Sequence, residues 1–231
     1  MEILPGLNSR SAAMILADLP YGTTNCKWDS PIDLQRLWPE FRRVCRGAIV
    51  LFAQSPFDKM LGMSNIKELR HEWIWEKGNA TGHLNANRAP MKAHENILVF
   101  SAGGYTYNPQ MTSGHARKVS TKKRREDCPV YNEHDRTPYD STTRYPRDVL
   151  RFSSDKQRGG KHPTQKPLAL CEYLIRTYSN PGDTILDNVM GSGTTGHAAI
   201  NTGRNFIGIE LEGEYFVMAQ KRLELSRTKA A

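Results

Sequence analysis

Apolar and polar positions along the chain fall into short blocks whose period keeps changing between two residues, 3.6 residues and none. Residues 12–18 read "AAMILAD", an unbroken apolar run that predicts a buried strand, and the chain then presents Asp18, Pro20 and Tyr21 in quick succession, as a loop at a sheet edge does. Residues 30–46 place Leu34, Leu37, Phe41 and Val44 on one helical face, with Ser30 as the expected N-cap, Pro31 at the first helical position and Pro39 interrupting the pattern. Strands are expected at 47–53, 72–77 and 95–101, with a short helix at 56–63. Beyond residue 160 the alternation resumes as a helix at 167–179, a strand at 184–187, a helix at 194–203, a strand at 205–211 and a closing helix at 213–226. Strands alternating with helices predict an α/β layer fold with a mainly parallel sheet.

Between residues 103 and 160 no period is visible, and the stretch is rich in Gly, Pro, Thr, Tyr, Lys and Arg. That is too long for an ordinary connection, so it reads as a variable insertion within a single domain covering residues 1–231.

Composition narrows the picture. The chain of 231 residues carries a formal net charge of +8, which suits a polyanionic partner. Part of that charge is concentrated in "RKVSTKKRR", which holds six Lys or Arg between Arg117 and Arg125. No apolar stretch approaches the length of a membrane span and the first residues lack a secretory pattern, so a soluble, cytoplasmic protein without membrane contact is expected. The four cysteines, Cys26, Cys45, Cys128 and Cys171, have neither zinc nor disulfide spacing, and the histidines show no paired ligand spacing. No metal is expected.

The chemistry is carried by two places. "TILDNVMGSGTTGHAAI" is a strand, a loop with Gly191 and Gly193, and a helix, which lets a small ligand approach bare backbone amides. Glu210, at the expected end of the next strand, is an acid able to accept hydrogen bonds from both ribose hydroxyls. That pair suits NAD or any adenosine-bearing cofactor. The loop lacks the third glycine of GxGxxG, no GxxxxGK[ST] occurs, and Asp187 just before the loop would repel an anion. A cationic or neutral cofactor fits better.

Taken with "DLPYG", the ordered set Asp18-Leu19-Pro20-Tyr21, Lys166-Pro167 in "KHPTQKP", Asp187 to Thr195 and Glu210 resembles the amino-group DNA methyltransferases, in the permuted group whose catalytic motif precedes its cofactor motif. The resemblance spans nearly the whole chain and implies a Rossmann-like methyltransferase fold, with residues 103–160 in the place of the target-recognition region. Two departures stand out. Leu19 replaces a proline, and "DNVMGSG" replaces "DPFxGSG", so that Asn188 and Val189 alter the floor of the cofactor pocket.

The resemblance implies S-adenosylmethionine as cofactor and the N6 amine of adenine in double-stranded DNA as target, reached by extruding the nucleotide. Asp18 and the Leu19 carbonyl would hold the amine, Pro20 would stiffen the turn and Tyr21 would offer a face for stacking. Cofactor contacts fall to Lys166, Asp187, Gly191, Ser192, Gly193, Thr194 and Glu210, with a solvated cation as the alternative for Lys166. Trp28 and Asp29 are read as support for the catalytic loop. Lys122, Lys123, Arg124 and Arg125 are candidate phosphate contacts, with a solvated loop as the alternative. Cytosine N4 as target, a degenerate core that only binds DNA, an NAD-dependent oxidoreductase and a homodimer remain open alternatives.

Overall fold

The computed structural model describes residues 3–22, 30, 32–120, 125–128, 131–135, 138–153 and 165–230, with backbone alone for 125–128, 131–135 and 229–230. The chain divides into two compact units, Met1–Asn108 with Asp148–Ala231, and Pro109–Arg147. Strands in chain order are β1 (Ala12–Ala17), β2 (Cys45–Ala53), β3 (Leu69–Thr81), β4 (Lys92–Phe100), β5 (Lys118–Ser120), β6 (Arg125–Cys128), β7 (Tyr131–Asp135), β8 (Tyr139–Ser141), β9 (Val149–Phe152), β10 (Thr184–Asp187) and β11 (Asn205–Gly208). The helices are α1 (Leu34–Val44), α2 (Phe57–Ser64), α3 (Leu168–Tyr178), α4 (Thr194–Asn201) and α5 (Gly213–Ala230).

The larger unit is built on one seven-stranded sheet in the order β11-β10-β1-β2-β4-β3-β9. β1 pairs in parallel with both β2 and β10, β10 with β11, and β3 with β9, whereas β4 runs antiparallel to β2 and β3. The sheet is therefore mixed but mostly parallel. β1 and residues 48–53 of β2 are apolar throughout because both of their faces are covered. Ile15, Ala17, Ile49 and Leu51 pack with Leu37, Trp38 and Phe41 of α1 and Leu61 of α2. Met14, Leu16, Val50 and Phe52 pack on the other side with Leu170, Leu174 and Ile175 of α3 and Ala198 of α4. Each of the larger buried side chains among them contributes roughly 1.5–3 kcal/mol relative to exposure. Gly47 is required where β2 meets a register shift in β1, since a Cβ there would stand 2.2 Å from the Ala13 carbonyl oxygen.

Several sequence expectations shift. α1 begins at Leu34, because the Asp33 carboxylate accepts from the amides of Gln35 (2.9 Å) and Arg36 (3.3 Å) and so takes the cap expected at Ser30. Pro31 lies outside the described residues. The helix runs through Pro39, stops at Val44 and passes straight into β2, two residues before the strand start expected. β3 and β4 extend through 78–81 and 92–94, which carry no strand-like apolar pattern, since antiparallel pairing such as Thr81 with Lys92 satisfies backbone groups whatever the side chains. β9 was not legible in the aperiodic stretch, and it adds Val149–Phe152 to the main sheet beside β3. β11 ends at Gly208, so Glu210 stands just past the strand. In the smaller unit β5 pairs with β8 and β6 with β7, both antiparallel.

Candidate active site

Asp18 follows the last residue of β1 and Asp187 is the last residue of β10. These strands are parallel neighbours in the register Met14 to Ile185 and Ile15 to Leu186, so both acids leave the sheet at the same edge, outside the strands' carboxyl ends where α/β folds place ligands. One cavity of about 790 Å³ joins them. Its walls include Asp18, Pro20, Phe52, Lys166, Asp187, Asn188, Gly191, Ser192, Thr194 and Glu210. That size lies within the range of small-molecule sites, about 300–1,000 Å³.

On the β1 side, the side chain of Leu19 turns into the core beside α1 and is only 2% exposed, so the residue standing where the resemblance expects proline fills apolar space instead. Tyr21 donates its hydroxyl to Asp18 Oδ1 at 2.7 Å, and its ring stacks on Phe57 with centroids 5.0 Å apart. Lys166 Nζ lies 2.9 Å from Asp18 Oδ2 and 2.8 Å from Glu95 Oε2, and Glu95 Oε1 lies 2.7 Å from Lys77 Nζ. Burial raises the Asp18 carboxyl above its ordinary range, against the pull of the Lys166 ammonium. Burial would also raise Glu95, but Lys166 and Lys77 outweigh it and hold Glu95 low. For Lys166 burial acts downward, and the two carboxylates overcome it to raise the ammonium well above its usual value.

On the β10 side, Gly191 (φ 50°) and Gly193 (φ 77°) adopt the left-handed conformation that only glycine takes without strain. Gly193 caps α4 and is a packing position, since an added Cβ would come within 3.0 Å of the Ala219 Cβ. The loop is tied to the acid beyond β11. Glu210 Oε2 accepts from the Gly191 amide at 2.7 Å, and Oε1 accepts from Glu212 at 2.9 Å. Arg222 of α5 braces the loop by donating to the Ser192 carbonyl (3.3 Å) and to Thr194 Oγ1 (3.0 Å). Asp187 is pushed up to about 7, chiefly by burial, against hydrogen bonds from the Thr195 hydroxyl and the Val189 amide.

An adenosine-bearing cation fits this wall. The side-chain oxygen of Asn188 is buried without a hydrogen-bond partner among the described residues, an unmet demand that a ligand donor would satisfy. Asp187 gains from a nearby positive charge, and Glu210 retains lone pairs for hydroxyl donors beyond its two amide bonds.

A family model described as DNA methylase, of the N6/N4 class, matches residues 12–221. The chain belongs to that family. A DNA adenine methyltransferase of Escherichia coli, YhdJ, is 38% identical over 133 residues, which are 56% of this chain and 44% of that protein, so the chain spans less than half of that relative. The type II methyltransferase M1.MboII of Moraxella bovis is 28% identical, covering 93% of this chain and 90% of its own length. Among solved structures, the M1.HpyAVI complex with S-adenosylmethionine (SAM) superposes with a TM-score of 0.65 at 28% identity, over 96% of this chain and 95% of that one. The cytosine-N4-specific PvuII methyltransferase gives the same TM-score at 18% identity, over 99% of this chain and 87% of that one, and so shares the fold. SAM is the methyl donor of these N6/N4 methylases.

Against this N6/N4 methylase frame, the structure gathers Asp18, Pro20, Lys166, Asp187, Gly191, Ser192, Thr194 and Glu210 around one cavity. Leu19 and Gly193 serve the surrounding packing. Lys166 is not the solvated cation offered as an alternative, since its side chain is 11% exposed and paired with two carboxylates. Lys122, Lys123, Arg124, Cys26, Trp28 and Asp29 lie outside the described residues, and Arg125 opens β6 with its backbone alone described. Glu95 and Lys77 were missed by sequence reasoning. The available signal was the polar pair Glu95-Asn96, both under 10% exposed, at the head of the apolar run "ILVF". Among the described residues no helix is long and apolar enough to cross a membrane, and no group of His, Cys, Asp or Glu could hold a metal ion.

Proposed function

We propose that this chain transfers a methyl group from SAM to the exocyclic N6 of adenine in double-stranded DNA, after the nucleotide has been extruded from the helix. The observation that carries the reading is the single cavity on which Asp18, Asp187 and Glu210 all open. SAM, when bound, supplies a methyl on a sulfonium sulfur, which departs as a neutral thioether. Glu210 takes the ribose hydroxyls, while Asp187, Ser192 and Asn188 hold the remaining polar groups.

Adenine's amine is a weak nucleophile because its lone pair is delocalised into the ring. The Asp18 carboxylate and the Leu19 carbonyl each accept one N–H, which favours a tetrahedral nitrogen and points its lone pair at the methyl. Asp18 then receives the proton that nitrogen sheds once the N–C bond has formed. Tyr21, its ring stacked on Phe57, is the stacking contact for the base. Lys122, Lys123, Arg124 and Arg125 contact phosphates, a role supported by the net charge of +8. Adenine is preferred over cytosine because an aspartate stands at position 18, and the name of the E. coli relative agrees.

The test is mass spectrometry of nucleosides from mixed-sequence duplex DNA treated with the protein and methyl-labelled SAM. Labelled N6-methyladenine is expected. Labelled N4-methylcytosine alone would transfer the mechanism to cytosine, and DNA binding without any labelled nucleoside would overturn the enzymatic reading.

A further inference from the structure

Four charged side chains line up behind the catalytic loop with alternating sign: Asp18, Lys166, Glu95 and Lys77, with successive contacts of 2.9, 2.8 and 2.7 Å. Side-chain exposure falls along the row, from 28% at Asp18 to 11% at Lys166 and Glu95 and 7% at Lys77. Only the first member opens widely on the cavity. The four come from different parts of the larger unit: the loop after β1, the segment before α3, β4 and β3. The row sums to zero charge, and its inner cations lie over aromatic rings, Lys166 at 5.1 Å from the Phe52 centroid and Lys77 at 5.6 Å from that of Trp75. A buried ion pair is a weak source of stability, because desolvation offsets most of the Coulombic gain and apolar replacements do as well. An ordered row of four therefore calls for another explanation.

We propose that Glu95 is a positioning residue for methyl transfer, acting through Lys166: by sharing that ammonium it keeps Lys166 from closing onto Asp18, and leaves the Asp18 carboxylate open to the substrate amine. This rests on the function proposed above. An ammonium has three N–H donors, and a lone carboxylate partner would draw it onto the same lone pairs the amine must use. With Glu95 accepting on the far side, Lys166 is pulled between two acceptors, 2.9 Å from Asp18 Oδ2 and 2.8 Å from Glu95 Oε2. Lys77 in turn balances Glu95, so that the second carboxylate does not simply repel the first. The groups facing Asp18 are thus Tyr21 from its own loop, Lys166 and, behind it, Glu95 and Lys77, and Asp187 across the cavity.

The first measurement needs no turnover. In protein carrying 13C-labelled aspartate, the Asp18 carboxyl resonance, assigned with Asp18→Asn, is titrated in the cofactor-free state. Glu95→Gln removes a repelling charge and frees Lys166 for Asp18, so the Asp18 titration moves down by about one pH unit. Lys166→Met removes the attracting charge, so it moves up by at least as much. Should Glu95→Gln fold poorly, the charge-balanced pair Lys77→Met with Glu95→Gln gives the same downward movement. A merely structural role moves the resonance in neither variant, or in the same direction in both, and either result overturns the proposal.

Steady-state methylation then separates the two readings. Glu95→Gln should lower kcat at least tenfold while KM for SAM stays within about threefold, and a fall confined to KM would overturn the positioning role. Opposite NMR shifts in a protein that methylates no DNA would leave the charge row standing and sink the proposed reaction instead.

Discussion

Two aspartates close adjacent parallel strands of one sheet and face one cavity, yet their surroundings differ. Asp18 sits against an ammonium at 2.9 Å and a tyrosine hydroxyl at 2.7 Å, and its partner Lys166 is held in its charged form. Asp187 is 4% exposed, accepts hydrogen bonds from the Val189 amide and the Thr195 hydroxyl without a cationic partner among the described residues, and is pushed up to about 7. In the first an ammonium opposes the raising effect of burial, and the carboxylate is placed to accept hydrogen bonds. The second is left short of a positive partner, the state expected of a wall that waits for a cationic ligand. Position in the fold brings both to the same edge, and the placement of one lysine divides their roles.

The largest effect should come from removing the acceptor on the lysine side. Asp18→Asn keeps the shape but replaces one oxygen with an amide that donates, and methyl transfer should fall by roughly two to three orders of magnitude. SAM affinity, measured by calorimetry, should stay within about threefold. If Asp18→Asn weakened SAM binding as much as it slowed transfer, the division between the two acids would fail.

Next in size is the pH response of Asp187. A cationic ligand prefers the carboxylate, so SAM should bind tighter as pH rises from 6 to 8, by up to about tenfold, and Asp187→Asn should flatten the curve. Stability runs the other way. In the fold Asp187 keeps its proton up to about 7, whereas its ordinary value is 3.8, so the native state binds the extra proton between those values. The stability this confers is complete below the lower value and is lost as pH climbs to the upper one, at most about 4 kcal/mol. Urea melts of ligand-free wild type at pH 5 and pH 8, set beside Asp187→Asn, read this difference. A wild type that gained stability over the same interval relative to the variant would show that Asp187 is not the desolvated group described.

How far the chain announced this arrangement differs between the two acids. Asp187 was legible because its neighbours form a compact local motif, strand, glycine loop and helix, and the acid beyond the next strand closes the loop through the Gly191 amide. Asp18 was legible as a candidate from a strand running into "DLPY", but its electrostatics were not. The groups that set them, Lys166, Glu95 and Lys77, come from three distant segments, and tertiary pairing of β3 with β4 brings the last two together. Lys166 read in sequence as a cofactor contact or a solvated cation, because nothing local tells of two carboxylates waiting for it. The helix cap fell to Asp33 for a similar reason: several polar residues precede α1, and only the path of the chain selects the one whose oxygen reaches the free amides. β9 shows the limit of periodicity, since four residues with one buried side chain join the sheet through backbone bonds to β3.

The smallest effect should come from the group that now occupies the place proposed for the substrate. Tyr21 donates to Asp18 Oδ1, and on the proposed mechanism an amino N–H needs an acceptor site on the same carboxylate. Tyr21→Phe removes that donor and with it a hydrogen bond worth about 1.5–3 kcal/mol to a charged group. The arriving amine exchanges one donor for another, so most of that loss is common to the free and bound states and cancels in the rate. Methyl transfer by Tyr21→Phe should stay within about fivefold of wild type, with the ring still stacked on Phe57. Tyr21→Ala also removes the stacking face, worth roughly 1–3 kcal/mol per base, and should fall about tenfold or more. A Tyr21→Phe defect as deep as that of Asp18→Asn would mean that the hydroxyl takes part in the reaction rather than holding a place. The lysine-side acid would then work as a pair with its tyrosine, and its contrast with Asp187 would rest on two partners instead of one.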